Sequence, residues 1–425
     1  MTSTARRRLS EVGPQGLLGR IGWSGAIEIT QLVGSLLVFA VLADTLVPED
    51  YGIMGAILGI AAPTASIGGL GTHYLLIKRV SQGEDLAWSW KRATSMSVMG
   101  LGAASLLVIA LQPLLLGGVS RWVYALFILS QVNFFWFTEL AVYVGNGTRR
   151  LKEAAQIRFM VVSCRIVAVV WFFFFGEGVL LRWAVASALS FGVAVVLALA
   201  YVWIVFKAAP SAIHGSMEDV REGVPFSANG ISESLVDASD RPLLVNYGHE
   251  IDAGVYTLGA RITQFGYLPL RMLLRASDAD LFQAGKRGVL PALDVIRSLV
   301  PMMAGVGFAV GFGMFIMAPL LPLVFGDQWQ DAVGTIRLLS ALPFIRGIQY
   351  LLGNAISATG LQWWRVGGTL SAAALNFSLN AMLLPTGNWR TAVFTTMVSE
   401  LFLTAVLALV LYRQALIETR NPPAP

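Results

Sequence analysis

The sequence predicts an all-α integral membrane protein with about 12 transmembrane helices, arranged as two six-helix lobes with both termini inside. Three observations predict it. Of 425 residues, 56% are hydrophobic and only 13% are charged, whereas a soluble domain is closer to half apolar and about a quarter charged. The apolar residues fall in twelve long continuous stretches, and the two halves of the chain share motifs in the same order.

About 20 apolar residues cross a bilayer as a helix. Spans one to six are read at Ile21–Ala43, Ile53–Ile77, Ala93–Leu116, Trp122–Val144, Phe159–Phe175 and Trp183–Phe206. Spans seven to twelve are read at Val224–Tyr247, Ala253–Leu274, Leu299–Phe325, Ala332–Ala358, Val366–Leu384 and Thr391–Tyr412. The runs are continuous rather than alternating, which selects helices over a barrel. Span seven carries Glu233, Asp237, Asp240 and Arg241, so a hydropathy window is expected to miss it.

Lys and Arg orient the chain. Arg6, Arg7, Arg8, Arg20, Lys78, Arg79, Lys91, Arg92, Arg149, Arg150, Lys152, Arg158, Arg271, Arg275, Lys286, Arg287 and Arg297 fall on one side, which is therefore cytoplasmic. Only Arg121, Arg182 and Arg390 fall opposite. An even number of spans with both ends inside follows. The outer loops are too short for a soluble domain, and the composition excludes nucleic-acid binding, disorder and a disulfide scaffold. Cys164 stands alone, so it forms no internal disulfide.

The repeat is read from three matches. Glu49-Asp50-Tyr51-Gly52-Ile53 resembles Ile251-Asp252-Ala253-Gly254-Val255. Pro113-Leu114-Leu115-Leu116-Gly117 resembles Pro319-Leu320-Leu321-Pro322, and Gly147 corresponds to Gly360. Lobes of six spans each make a parallel repeat. The boundaries are an N-lobe at 1–206, a cytoplasmic linker at 207–223 and a C-lobe at 224–425.

Ionisable groups inside a membrane are costly, about 2.5–3.5 kcal/mol each on insertion scales, so they face a cavity or a partner. Ser24, Glu28, Gln31 and Ser35 share one face of span one, which reads equally as a cavity wall or a helix contact. For Glu139 and Glu400 a structural ion pair is the favoured reading. Asn229, Glu233, Asp237 and Asp240 form a stripe on span seven; if all the acids ionise, either a cation sits among them or one keeps its proton. Asp237 can also pair with Arg241 four residues on. Asn376, Asn380 and Thr396 add hard oxygen ligands, fitting Na⁺ or proton-linked chemistry better than a transition metal; helix-packing hydrogen bonds explain the same residues. Arg165, Arg261, Arg337 and Arg346 are embedded, and an arginine fork suits phosphate. For Arg337 snorkelling to the outer interface is favoured.

The segment Leu46-Val47-Pro48-Glu49-Asp50-Tyr51-Gly52, the run Gly68-Gly69-Leu70-Gly71, Asp240-Arg241-Pro242-Leu243-Leu244 with Gly254-Val255-Tyr256, and the basic loop 145–156 resemble the MOP exporter superfamily. Within it the chain is most similar to Wzx-type flippases of polysaccharide repeat units. The resemblance implies a MATE-like fold. It implies a flippase that moves an undecaprenyl-diphosphate-linked oligosaccharide across the bacterial cytoplasmic membrane for exopolysaccharide, capsule or O-antigen synthesis. No cofactor is implied; membrane lipids surround the protein, and glycosyltransferases and a polysaccharide polymerase are the implied partners. Arg261, Arg346 and Arg165 would hold the diphosphate, with Glu28 and Gln31 toward the sugars. Asp237, Asn376, Asn380 and Thr396 would form a Na⁺ site that couples a cation to transport. A multidrug/cation antiporter of the same fold is the alternative. A membrane glycosyltransferase using Glu49 and Asp50 fits less well, because the outer loops are too short to hold an acceptor.

Overall fold

The computed structural model describes residues 14–211 and 215–420. Arg6, Arg7 and Arg8, and the side chains of Arg20, Ser24 and Asn229, lie outside the described residues. Among the described residues every regular element is helical. Helix covers each of the twelve stretches, and eight helices are long and apolar enough to cross a membrane. The protein is a multi-pass membrane protein.

The spans that miss that threshold are seven, eight, ten and eleven. The sequence predicts this only for seven. Prolines and charges explain the rest. Span seven is Met217–Ala238 followed by Asp240–Asn246. Span eight is Glu250–Gly266 followed by Leu268–Gly285, and span ten is Gln330–Leu339 followed by Leu342–Ala358. Pro242, Pro269 and Pro343 each sit in the first turn of the second piece, where a missing N–H is tolerated. Span eleven, Gln362–Leu383, instead carries Asn376 and Asn380 in its second half.

Residue contacts divide the chain into two compact units. One comprises the first span with Thr64–Gln112 and Ser120–Ala228. The other comprises Leu46–Pro63, Pro113–Val119 and the chain from Asn229. Span two is thus shared, changing unit after Pro63.

In the first unit, span two breaks between Pro48–Gly68 and Thr72–Gln82, with Leu70 and Gly71 at positive φ (48° and 64°). A side chain at Gly69 would run into the Trp136 indole, and one at Gly68 would come within 2.8 Å of the Gly100 carbonyl. The glycines therefore let span three and an indole approach the backbone, and Trp136 donates its Nε1–H to Thr72 at 3.2 Å. Span four is wound as a π-helix over Leu129–Phe134. The core of this unit is rich in alanine: Trp90 is buried among Ala141, Ala154, Ala194 and Ala198. Small residues of this kind let helices pack closely where no hydrophobic force drives them together in lipid.

The segment around residues 216–222 packs against the end of span two and the start of span three. Ser216 and Asp219 form a capping box at the start of the helix from Met217: the Asp219 carboxylate accepts from Ser216 N at 3.0 Å and Oγ at 2.9 Å. The same fully buried carboxylate accepts from Arg79 at 2.6 Å and Arg92 Nε at 3.0 Å. Beside it, Glu222 takes Lys78 at 2.7 Å and also Arg79. Burial raises the Asp219 pKa, but Arg92, Arg79 and Ser216 outweigh it and hold the group below the usual carboxylate range. Lys78 and Arg79 do the same for Glu222.

A depressed folded pKa contributes stability above the unfolded value near 4, lost as pH falls through the folded value. These ion pairs should therefore hold unchanged from pH 8 to pH 5. Asp219→Asn should lower stability at pH 7 by about 3 kcal/mol, because two arginines lose a buried partner. Thermal unfolding of the detergent-solubilised protein checks this.

In the second unit, the repeat motif closes on itself. A Cβ at Gly52 would strike the Glu250 carbonyl, and one at Gly254 would strike the Pro48 carbonyl. Each glycine thus meets the residue four before its counterpart, or close to it, a reciprocal contact of the kind a two-fold axis makes. The next turn repeats it, with Gly55 against Thr257.

Candidate functional site

The second unit holds a chain of buried polar groups along spans seven, eight, ten, eleven and twelve. Its centre is Asp240, 1% exposed. The helix is interrupted at the single residue Ser239, between Ala238 and Asp240. Tyr256 and Thr396 donate their hydroxyls to Asp240 Oδ2, the latter at 2.8 Å, and Asn380 Nδ2 donates to Oδ1 at 3.1 Å. Asn380 also donates to Asn376 Oδ1 at 2.9 Å and accepts from Thr395 at 2.6 Å. Asn376 Nδ2 is buried without a partner.

The sequence groups Asp237 with Asn376, Asn380 and Thr396. The structure brings those last three together around Asp240 instead. Carboxylate, amide carbonyl and hydroxyl oxygens make a hard donor set that fits a monovalent alkali cation or a proton. With Ser239 Oγ at 3.5 Å, Asp240 accepts four donors here, so a bound cation would require the Tyr256 and Thr396 hydroxyls to turn their lone pairs inward. Among the described residues no group of three or more His, Cys, Asp or Glu is placed to hold a metal.

Asp237 points elsewhere. It is bonded to Arg346, which also binds Glu400 through Nη2 and through Nε at 3.1 Å. Gln349 donates to the second oxygen of Glu400 at 2.8 Å, and the guanidinium lies 4.9 Å over the Tyr267 ring. Arg346 is therefore committed to an internal triad, not free for a diphosphate. Glu233 has its own partner in Arg365 at 3.1 Å. Within the span-seven stripe, Glu233, Asp237 and Asp240 each have separate partners. The i,i+4 pair of Asp237 with Arg241 does not form; Asp237 is bonded to Arg346 instead.

Arg261, on span eight, is partly buried beside the Tyr51 hydroxyl and makes no ion pair among the described residues. Tyr51 itself is buried with its ring edge-on to Trp329 at 5.4 Å. Between Asp240 and the Arg346 triad lies a small cavity lined by Asp237, Arg241, Tyr256, Gln264, Arg346 and Thr396, among others. A water centre can occupy about 30 Å³ of it, which is room for one or two waters or a small ion, not for a sugar.

In the first unit, Arg165 lies 4.9 Å over the Phe191 ring. Glu28 is exposed on span one. Gln31 donates to Ser35 at 3.4 Å and accepts from Arg158 at 3.2 Å. Arg158 also grips Glu139 with both nitrogens, Nη2 to Oε2 at 2.7 Å. The sequence places Arg158 at the cytoplasmic border; the structure buries it, with 7% exposure, as the partner of Glu139. Only the embedded acid nineteen residues earlier marks it. His73 is stacked between Trp136 (4.0 Å) and Tyr143 (4.8 Å), a satisfied packing role.

No family model matches the sequence, and no curated protein does. Solved structures do. The chain matches the inward-facing conformation of a multidrug resistance MATE family transporter of the MOP superfamily with a TM-score of 0.70 at 16% identity, over 91% of this chain and 95% of that one. The outward-facing conformation of a multidrug resistance MATE transporter of the same superfamily matches with a TM-score of 0.60 at 16% identity, over 93% and 96%. A MOP superfamily transporter from Pyrococcus furiosus, described as having a binding pocket of reverse polarity that suggests a different function, matches with a TM-score of 0.60 at 15% identity, over 92% and 94%. At this identity the likeness establishes architecture: the chain has the fold of the MATE transporters of the MOP superfamily.

Proposed function

We propose that the protein is a flippase for a polyprenyl-diphosphate-linked oligosaccharide, working by alternating access in a bacterial cytoplasmic membrane and supplying repeat units for polysaccharide assembly. The observation that carries this reading is Arg261, an arginine inside a span with no carboxylate partner among the described residues. A cationic drug would be repelled there, whereas a diphosphate would be held by an arginine fork. The architecture is that of transporters, and one neighbour of the same fold is described by a pocket of reversed polarity. Asp240, Asn376, Asn380 and Thr396 are the proposed seat of a coupling Na⁺ or proton. A coupling ion must bind the two states of the transporter with different affinity. Glycosyltransferases that build the repeat unit and a polymerase that consumes it are the proposed partners.

The second reading is a multidrug/cation antiporter, favoured by the exposed Glu28 on span one and by the multidrug transporters among the structural neighbours.

Reconstitution separates the two. Proteoliposomes doped with a fluorescent lipid-linked oligosaccharide should show protein-dependent loss of leaflet asymmetry, impaired in Arg261→Ala at normal protein level. Cation-gradient-driven uptake of an organic cation dye, with no oligosaccharide movement, would establish the antiporter instead.

A further inference from the structure

Two helices of the first unit end at one corner, and each is closed by a basic residue held in the left-handed backbone region. The helix Phe135–Gly147 is followed by Arg149 at φ 59°, and the helix Leu180–Phe206 by Lys207 at φ 57°. At the first end Arg149 N–H donates to Asn146 O at 3.2 Å and Arg150 N–H to Gly145 O at 2.8 Å, the pair of bonds that ordinarily closes a helix on glycine. A side chain strains that conformation and glycine does not. Arginine and lysine stand where the backbone favours glycine, which points to a use for their side chains.

The helix macrodipole is not that use. Arg150 already lies beside the first helix end at φ −95°, and its guanidinium lies 4.5 Å over the Phe206 ring at the second. That contact joins the two ends, and Tyr201 on the second helix donates to Gln156 on the helix from Leu151. Arg149, Arg150, Lys152 and Lys207 are all exposed. Among the described residues only Arg150 of these has an acid partner, Glu153 at 2.7 Å, so the corner stays positive. One turn back, Trp203 and Ile204 are each 62% exposed, on a helix long and apolar enough to cross a membrane. Cations just past the end of such a helix, beside an exposed indole, sit at headgroup level.

We propose that Arg149, Lys152 and Lys207, with Arg150, hold the phosphate of an anionic phospholipid whose acyl chains lie against Trp203 and Ile204. The lipid clasps the ends of spans four and six and the start of the helix from Leu151. Free phosphate would meet the charges but has no use for the apolar side chains next to them, so a lipid is the ligand that uses both. The site serves a resident lipid at the protein surface, and it stands whether the transported molecule is an oligosaccharide or a cation.

Native mass spectrometry of the detergent-solubilised full-length protein tests this, with dioleoyl phosphatidylglycerol as the anionic probe and dioleoyl phosphatidylcholine as its zwitterionic counterpart. Phosphatidylglycerol should be retained in preference. Arg149→Gly and Lys207→Gly should each weaken its retention about fivefold, the contribution of one basic residue at an anionic surface, whereas Lys207→Arg should retain it as the wild type does. Thermal unfolding in nanodiscs separates this role from a structural one. In phosphatidylcholine the glycine variants should unfold at or near the wild-type midpoint, because glycine relieves the strained φ. In phosphatidylglycerol they should unfold below it. The proposal is overturned if phosphatidylglycerol is retained no better than phosphatidylcholine, if the glycine variants retain it as well as the wild type, or if they lose as much stability in phosphatidylcholine as in phosphatidylglycerol. Displacement of the lipid by inorganic phosphate at constant ionic strength would also overturn it, since the ligand would then be a free oxyanion.

Discussion

Glu400→Ala should destabilise the protein by about 3–5 kcal/mol, the largest effect expected of any single substitution here. Glu400 is fully buried. Its Oε1 receives Arg346 Nε at 3.1 Å and its Oε2 receives Gln349 at 2.8 Å. Truncation leaves the Gln349 amide without an acceptor and leaves Arg346 with only Asp237, whose side chain is 37% exposed. A half-wet carboxylate cannot replace a dry one, because part of its field is spent on solvent. The energy resides in breaking the pair, not in having it. Arg346→Met together with Glu400→Leu should therefore be milder than the sum of the two single changes, since no buried charge is stranded and Asp237 can rehydrate. A thermal double-mutant cycle in detergent measures the difference. If the double variant is as unstable as the sum, the triad is not a coupled unit.

Gly254→Ala should destabilise the protein by about 1–3 kcal/mol, the range for overpacking, although alanine is the better helix former by about 1 kcal/mol. The added methyl meets the Pro48 carbonyl and the backbone around it, and a backbone carbonyl cannot rotate away as a side chain can. Gly102→Ala is the matched control: it sits inside the helix Leu86–Ala110, and a methyl group there would have nothing within 4 Å. That change should be neutral or stabilising. The opposite signs of two identical substitutions isolate the close approach from helix propensity, read as shifts in the unfolding midpoint by tryptophan fluorescence.

Much of the fold is legible because membranes impose simple rules. Span length and helix in place of barrel are both local in the sequence. The ion-pair readings for Glu139 and Glu400 are legible too, since a lone acid in a span must find a partner. Which partner is not legible. Arg346 reads in the sequence as a free phosphate fork, and only the fold brings Glu400 to it from 54 positions away. Asp237 and Asp240 are three apart and share a face in any continuous helix, so periodicity cannot separate their roles. Their partners do: Asp237 meets Arg346, and Asp240 meets Asn380 and Thr396. Pro242 is the available signal for the interruption at Ser239. Arg241 reads as the mate of Asp237 for the same reason, but Asp237 is taken by Arg346.

The Asp240 cluster also has a consequence for how the chain is made. Its hydrogen-bond partners Asn380 and Thr396 are encoded 140 and 156 residues later. At ribosomal rates of roughly 5–20 residues per second, span seven leaves the ribosome on the order of ten seconds or more before either arrives. During that interval an acid and an arginine stand side by side in a segment too polar to partition into lipid alone. Spans seven and eight are therefore expected to complete their packing only once spans eleven and twelve are made.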